Sequence, residues 1–198
     1  MNSISRREAL ARLAAITGTM AIGGELFLSG CRAPDAKKRT ASYSVAELEL
    51  LDEIGETIIP ATETPGAKAA GIGKFMARMS NDVYDAASYD SFRSGLERID
   101  AASRKDHGKS FLESSPAERT ALLNELDREQ RRHTRDKAAT APPHYFRLMK
   151  ELTLLGYFSS EIGCTRALRY VETPGSYDGN VPYRKGDKAW YNPSRRIS

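Results

Sequence analysis

The amino-acid sequence predicts an all-α protein, a small irregular helical bundle followed by an extended, turn-rich and aromatic C-terminal tail. Apolar residues recur at steps of three and four along several segments, which is typical of amphipathic helices. No stretch alternates with period two for long enough to make a convincing strand, and no internal repeat is present. Helices without partner strands must bury their apolar faces against one another, which favours a bundle.

The first 30 residues are typical of a removable export signal. Arg6 and Arg7 precede a stretch from Leu13 to Leu28 in which nearly every residue is apolar, small or Gly. This stretch is too short and too weakly hydrophobic for a permanent span, which needs about 20 predominantly apolar residues. A positive start and a small-residue end indicate a signal peptide, and the arginine pair indicates the twin-arginine type. The alternative is a buried N-terminal helix that begins with two arginines.

The signal ends in Leu28-Ser29-Gly30-Cys31, which resembles a lipobox. Acylation of Cys31 would make it the mature N-terminus and hold the chain on the periplasmic side of a bacterial membrane, inner or outer. Residues 31–43 then form a lipid-anchored tether, and residues 44–198 a single helical domain. Cys164 remains as a single thiol, predicted to be a small buried hydrophobe.

Two helices are predicted in the first part of the domain. Ser44 and Glu47 form a capping box at the start of the first helix, and Pro60 ends it before the turn residues 61–67. The apolar face of this helix comprises Val45, Leu48, Leu51, Ile54 and Ile58. The second helical stripe comprises Ile72, Phe75, Met76, Met79 and Val83.

Two further helices follow. The third carries the stripe Phe92, Leu96 and Ile99, with Asp90 as its expected cap. The fourth has the clearest start in the chain, with Ser115 as cap, Pro116 at the first helical position and Glu118 completing the box. Its buried side is predicted to be Leu122, Leu123 and Leu126.

The longest periodic segment comes after Pro142-Pro143. One face consists of Tyr145, Leu148, Leu152, Leu155, Phe158 and Ile162, widened by Phe146, Met149 and Tyr157. A helix that is apolar over so much of its circumference is usually central to a bundle. Gly156 and Gly163 within it allow either a close helix approach or a break.

The tail, residues 170–198, contains turn pairs that exclude helix. It nevertheless holds Tyr170, Tyr177, Tyr183, Tyr191 and Trp190, the only tryptophan. Disordered tails are normally poor in aromatic residues, so these rings are expected to be covered. Two alternatives stay open: the rings fold back on the chain's own bundle, or some of them dock on a partner.

Three segments in this order resemble the gluconate 2-dehydrogenase subunit 3 family. The first is Thr57-Ile58-Ile59-Pro60-Ala61-Thr62 with Thr64-Pro65-Gly66-Ala67. The second is Thr153-Leu154-Leu155-Gly156-Tyr157-Phe158-Ser159-Ser160-Glu161, and the third is the Tyr183-Lys185-Gly186-Asp187-Trp190 tail.

The resemblance implies a small, non-catalytic subunit of a membrane-associated dehydrogenase. The catalytic partner in such complexes is a flavoprotein of the glucose-methanol-choline class that carries FAD, and a cytochrome c subunit with haem c often accepts the electrons. The small subunit supplies the signal read by the twin-arginine export machinery. Candidate contacts with the partner are Tyr157, Phe158, Glu161, Arg169, Tyr183, Lys185, Asp187 and Trp190.

Other chemistry finds little support in the sequence. There is no haem-attachment motif, glycine-rich nucleotide loop or Glu-x-x-His pair, so no cofactor or metal is expected in this chain. Arg131, Arg132 and Arg135 lack interleaved aromatics, which argues against nucleic acid. The histidines are predicted to be solvated or capping residues. Glu161 is expected to pair with Arg166 or Arg169, or else with an arginine of a partner.

Two alternatives to the accessory-subunit hypothesis remain at this point. One is a lipid-tethered periplasmic scaffold or binding protein without a redox partner. The other is a free-standing enzyme that uses Glu161 or His144 in a cleft between bundle and tail.

Overall fold

The structure, a computed structural model, describes residue 7 and residues 42–138, 141–171, 180 and 182–191. The chain divides into two compact units, Met1–Arg39 and Thr40–Ser198. Of the first unit only Arg7 is described, in helical conformation with an exposed side chain. Arg6, Cys31 and Tyr177 lie outside the described residues, so the signal and the lipobox stay predictions.

The described part of the second unit consists mainly of five α-helices. They are α1 Val45–Ile58, α2 Ile72–Val83, α3 Ala86–His107, α4 Pro116–Asp136 and α5 Tyr145–Ser159. A 3-10 turn, Lys68–Ala70, precedes α2, and a π-helical turn, Gly163–Ala167, follows α5. The strands β1 Arg169–Tyr170 and β2 Trp190–Tyr191 pair in parallel. The all-α prediction is confirmed. The two strands were not predicted, because a strand of two residues is too short to show an alternating pattern in the sequence.

Two helix starts agree with the sequence prediction. The N–H of Glu47 donates to Ser44 Oγ over 3.2 Å, and the N–H of Ser44 donates to Glu47 Oε2 over 2.8 Å. Ser115 and Glu118 form the same reciprocal box at α4, with Pro116 in the first turn. The backbone N–H of Ser115 and the Lys109 ammonium hold the pKa of Glu118 at about 2. Both boxes satisfy N–H groups that a helix start would otherwise leave without partners.

The predicted start of α3 was wrong. Asp85, not Asp90, caps this helix, because its carboxylate accepts a 2.7 Å hydrogen bond from the N–H of Ser88. The helix therefore begins one turn earlier than expected, and Asp90 is an exposed residue inside it. Tyr89 is consequently a buried member of the apolar stripe that the sequence analysis did not include.

Helix α5 is central, as predicted, and packs against each of the other four helices. Its buried residues are Tyr145, Phe146, Leu148, Met149, Leu152, Thr153, Gly156 and Tyr157. A Cβ atom at Gly156 would lie 2.5 Å from Cδ1 of Phe75, so this glycine permits the close approach of α2. The helix ends at Ser159 rather than continuing to Ile162.

The predicted buried face of α5 was wrong at two positions. Leu155 is 53% exposed and Phe158 38% exposed, because the buried band centres on Met149, Thr153 and Gly156. Exposure also shows that Val45 and Val83, at the ends of their stripes, lie outside the core. The core itself contains the leucines predicted for α4, together with Leu51, Ile54, Ile72, Met76, Phe92 and Ile99.

His144 caps α5, as one of the two roles expected for the histidines. Its Nδ1 accepts a 3.3 Å hydrogen bond from the N–H of Phe146, and its Nε2 lies 3.3 Å from Glu129 Oε1. The cap requires the unprotonated Nδ1. Burial lowers the pKa of His144, and His133 and Arg98 lower it further, against the opposing effect of Glu129.

The His144 environment makes stability depend on pH. Since the folded-state pKa of His144 is lowered, its neutral ring stabilises the fold above the unfolded pKa of about 6.5, and this contribution is lost as pH falls below that value. We expect the free energy of unfolding, measured by chemical denaturation, to decrease from pH 7 to pH 5. His144→Asn keeps a cap acceptor without a titrating ring and should flatten this dependence. If the free energy of unfolding changed equally with pH in the wild type and in His144→Asn, His144 would not be the titrating group.

Candidate functional site

Two segments that are distant in sequence meet at a buried hydrogen bond. The hydroxyl of Tyr157, in α5, donates to the carbonyl oxygen of Pro65 over 2.6 Å, across 92 positions of the chain. Tyr157 is only 1% exposed. A buried phenol needs such a partner, and here the partner is a backbone atom of the loop after α1. The residues 57–67 and 153–161 therefore form one structural unit.

We call residues 60–67 the clamped loop, because Glu56 holds both of its ends. Oε1 of Glu56 accepts a 2.9 Å hydrogen bond from the N–H of Ala61, and Oε2 accepts a 2.8 Å bond from the N–H of Lys68. A Cβ atom at Gly66 would lie 2.2 Å from Glu56 Oε1, so this clamp requires glycine there. Residues 61–63 and Pro65 are exposed. The loop thus presents a fixed shape to solvent.

An apolar ridge lies on the outward side of α5. It consists of Leu154, Leu155 and Phe158, which are 40%, 53% and 38% exposed. The Phe158 ring meets the Tyr157 ring edge-on, with centroids 5.2 Å apart. Tyr157 lies beneath the surface and shapes it without being accessible itself. Exposed apolar side chains grouped on one face are typical of a contact surface.

Glu161 follows Phe158 by three residues and is exposed. Among the described residues it pairs with neither Arg166 nor Arg169, so the expected internal ion pair is wrong. The Arg169 guanidinium instead lies 3.9 Å from Asp187 Oδ1 and 4.5 Å from the centre of the Trp190 ring. The return of the tail brings these partners to Arg169.

We call residues 182–191 the hook, because this part of the tail folds back along the π-helical turn. The N–H of Arg169 donates to the carbonyl oxygen of Ala189 over 2.8 Å, and the Tyr170 and Tyr191 rings stack with centroids 6.0 Å apart. The sulfur of Cys164 raises the pKa of Tyr191. Cys164 is free and buried, as predicted.

Asp187, the only acidic residue of the hook, closes a tight turn. Asp187 Oδ2 accepts a 2.9 Å hydrogen bond from the N–H of Arg184, the N–H of Asp187 donates to the Arg184 carbonyl over 3.0 Å, and Gly186 has φ +97°. Tyr183 is 76% and Trp190 50% exposed, and Lys185 is exposed at the turn. The hook therefore folds on its own chain at the π-helical turn, while these two rings remain accessible.

Two depressions of the described surface have linings that include neither Glu161 nor His144. One of about 430 Å³ is lined by Thr165, Leu168, Arg169, Tyr170 and Lys188. Another, of about 160 Å³, lies between α1, α4 and α5 and includes the Asp127–Lys150 ion pair, 2.6 Å long. In the described ranges no group of three or more His, Cys, Asp or Glu side chains could hold a metal ion.

A family model, gluconate 2-dehydrogenase subunit 3, matches residues 45–175. The chain belongs to this family. The match includes the clamped loop and all of α5, and ends before the hook. Members of the subunit 3 family are, by this description, components of a dehydrogenase complex and associate with its other subunits. No curated protein and no solved structure matches the chain.

Sequence reasoning did not identify Glu56, Leu154 or Leu155 as site residues. Glutamate in the last turn of a surface helix is common, so no local pattern distinguishes the one that clamps a loop. The glycine of the Pro65-Gly66 motif was a usable signal for a close contact in this loop, because the Glu56 carboxylate leaves no room for a side chain at position 66. The exposure of the two leucines depends on which side of α5 the other helices cover.

The clamp predicts a local effect of removing the Glu56 charge. Glu56→Gln leaves one carbonyl acceptor for two N–H donors, and a hydrogen bond to a charged group is worth about 1.5–3 kcal/mol. We expect amide hydrogen exchange at Ala61 or Lys68 to accelerate on the order of tenfold. Glu63→Gln, the same change at an exposed position of the loop, is the control. Unchanged exchange in the Glu56 variant would refute the clamp.

Proposed function

We propose that this chain is the accessory, non-catalytic subunit of an FAD-dependent sugar or alcohol dehydrogenase. The observation that carries the proposal is the family match over residues 45–175, which spans the bundle, the clamped loop and the apolar ridge. A subunit needs a surface for its partner. A ridge of exposed apolar side chains supports that role, as does a preorganised loop that Tyr157 joins to the same helix. FAD is expected in the partner, a flavoprotein of the glucose-methanol-choline class, and haem c in a possible third subunit.

The proposed contact surface has two parts. The ridge of α5 offers Phe158 and its neighbours, supported from below by Tyr157, with Glu161 at its edge. The hook offers the rings of Tyr183 and Trp190, with Lys185 at its turn, while Arg169 and Asp187 hold its shape. Large aromatic rings and arginines are the common anchors of protein interfaces.

Export and anchoring belong to the same proposal. The arginine pair, Arg6 and Arg7, would direct the chain to the twin-arginine machinery, and the lipid on Cys31 would hold it on the periplasmic side of a membrane. Because this machinery carries folded proteins, the flavoprotein can be exported with FAD already bound. In the described portion no helix is long and apolar enough to cross a membrane. A tether over residues 31–43 would span at most about 45 Å.

The proposal predicts which variant loses the partner. We expect the full-length chain, purified from its own membranes in mild detergent, to bring an FAD-containing flavoprotein with it. Covering the exposed half of Leu155 is worth about 1 kcal/mol. Leu155→Ser should therefore weaken the affinity roughly fivefold, measured as FAD absorbance per mole of chain across a dilution series.

The matched control is Val45→Ser, since Val45 is also a largely exposed apolar residue but lies in the first turn of α1. Circular dichroism should show the same helical content in both variants. Equal FAD recovery from both would place the contact elsewhere. Absence of any FAD-containing partner from the wild-type preparation would favour a lipid-tethered scaffold.

The anchor can be tested separately. Cys31→Ala removes the proposed acylation site, and each buried methylene of the lipid contributes about 0.8 kcal/mol to membrane attachment. We expect the variant to leave the membrane fraction in detergent-free buffer, while the wild type stays bound. Mass spectrometry of the wild-type N-terminus should show an acylated Cys31; an unmodified cysteine would refute the lipoprotein assignment.

A further inference from the structure

Most of the described cationic side chains of the helices form ion pairs, whereas the exposed cations of the hook do not. Within the bundle, Arg93 contacts Glu47 at 2.9 Å, and similar ion pairs join helices and turns throughout. They include Lys68–Glu53, Arg104–Asp100, Lys109–Glu118, Arg147–Glu151 and Lys150–Asp127. At the hook and the adjoining π-helical turn, exposed cations form no ion pair with any described residue. They are Arg166, Arg184, Lys185 and Lys188.

The described acidic groups of the hook and of the residues next to the π-helical turn form no ion pair with these cations. Asp187 is engaged by the Arg169 guanidinium and by the N–H of Arg184. Lys188 reaches the backbone carbonyl of Arg166 rather than a carboxylate. Glu161 is exposed and unpaired among the described residues. Among the described residues, the hook surface therefore carries positive charges that no ion pair compensates.

The hook holds these charges in a defined arrangement. The Asp187 turn and the parallel pairing with β1 fix its backbone, and the Arg169 guanidinium covers one side of the Trp190 ring. Half of Trp190 and most of Tyr183 remain exposed beside the cations. Fixed cations around accessible rings suit recognition of carboxylates at set positions, as a protein surface offers, since preorganisation lowers the entropy lost on binding.

We propose that the hook docks on an acidic surface of the flavoprotein subunit. In this arrangement Arg184 and Lys185 face carboxylates of that surface, and the Trp190 ring lies between those carboxylates. This inference rests on the proposed function, in which the ridge of α5 supplies the apolar contact. The family match supports another subunit as the occupant, because a subunit 3 chain associates with other subunits. Charges of this kind accelerate encounter and select the partner, and their effect weakens with salt.

The test compares two double variants of the full-length chain that have the same net charge. Arg184→Glu with Lys185→Glu reverses two hook cations. Lys74→Glu with Lys105→Glu reverses two exposed cations of α2 and α3 and is the matched control. The dissociation constant for the purified FAD-containing subunit is measured in detergent at about 50, 150 and 500 mM salt, a range over which the Debye length shortens several-fold.

The hook variant should bind at least tenfold more weakly than the wild type at the lowest salt, and its affinity should depend less on salt. The control variant should stay within twofold of the wild type. Equal affinities of the two variants, or a salt-independent wild type, would overturn the hook assignment while the accessory-subunit proposal stands. Recovery of no FAD-containing subunit by the wild type would overturn both.

A membrane is the competing occupant, because anionic lipid also attracts cations and aromatic rings. Vesicles of phosphatidylglycerol and phosphatidylcholine serve as the probe. Two proteins are compared: the Cys31→Ala chain with the native hook, and the same chain with Arg184→Glu and Lys185→Glu. We expect the chain with the charge-reversed hook to bind these vesicles as tightly as the chain with the native hook. Loss of vesicle binding together with unchanged affinity for the flavoprotein would assign the hook to the lipid surface and overturn the proposal.

Discussion

The hydrogen bond from Tyr157 to the carbonyl of Pro65 is the contact on which the proposed contact surface depends. It joins the C-terminal half of α5 to the clamped loop, and the absence of a side chain at Gly156 lets α2 approach the same turn of the helix. A buried hydroxyl without a partner is costly, so α5 cannot rotate freely about its axis in this core. The rotation of α5 in turn determines which residues reach the surface.

With Tyr157 directed inward, Leu154, Leu155 and Phe158 face outward as a ridge. These apolar side chains are a liability for an isolated chain and an advantage for a subunit that is covered by its partner. Glu56 fixes the loop that Tyr157 contacts, because its carboxylate accepts hydrogen bonds at both ends of that loop. Rigid support under a contact surface reduces the ordering that binding would otherwise require.

Charge is distributed unevenly between the bundle and the hook. Ion pairs within and between helices occupy most of the bundle's cations, whereas the hook turns its own carboxylate inward to Arg169. An apolar ridge and a cationic hook would act differently on association. Apolar burial mainly determines how long a complex persists, and uncompensated charge mainly determines how fast and with which partner it forms.

The sequence by itself determined the helical class, two of the helix starts and the family. Capping boxes and a period of three to four residues are local patterns. The caps Ser44 and Ser115 and the buried leucines of α4 could therefore be predicted without knowledge of the tertiary structure. Only the tertiary structure decided that Asp85 rather than Asp90 caps α3, which side of α5 is covered, and that Arg169 meets Asp187 and Trp190 instead of Glu161. These outcomes depend on contacts between residues far apart in the chain, and a local pattern does not encode which remote partner arrives.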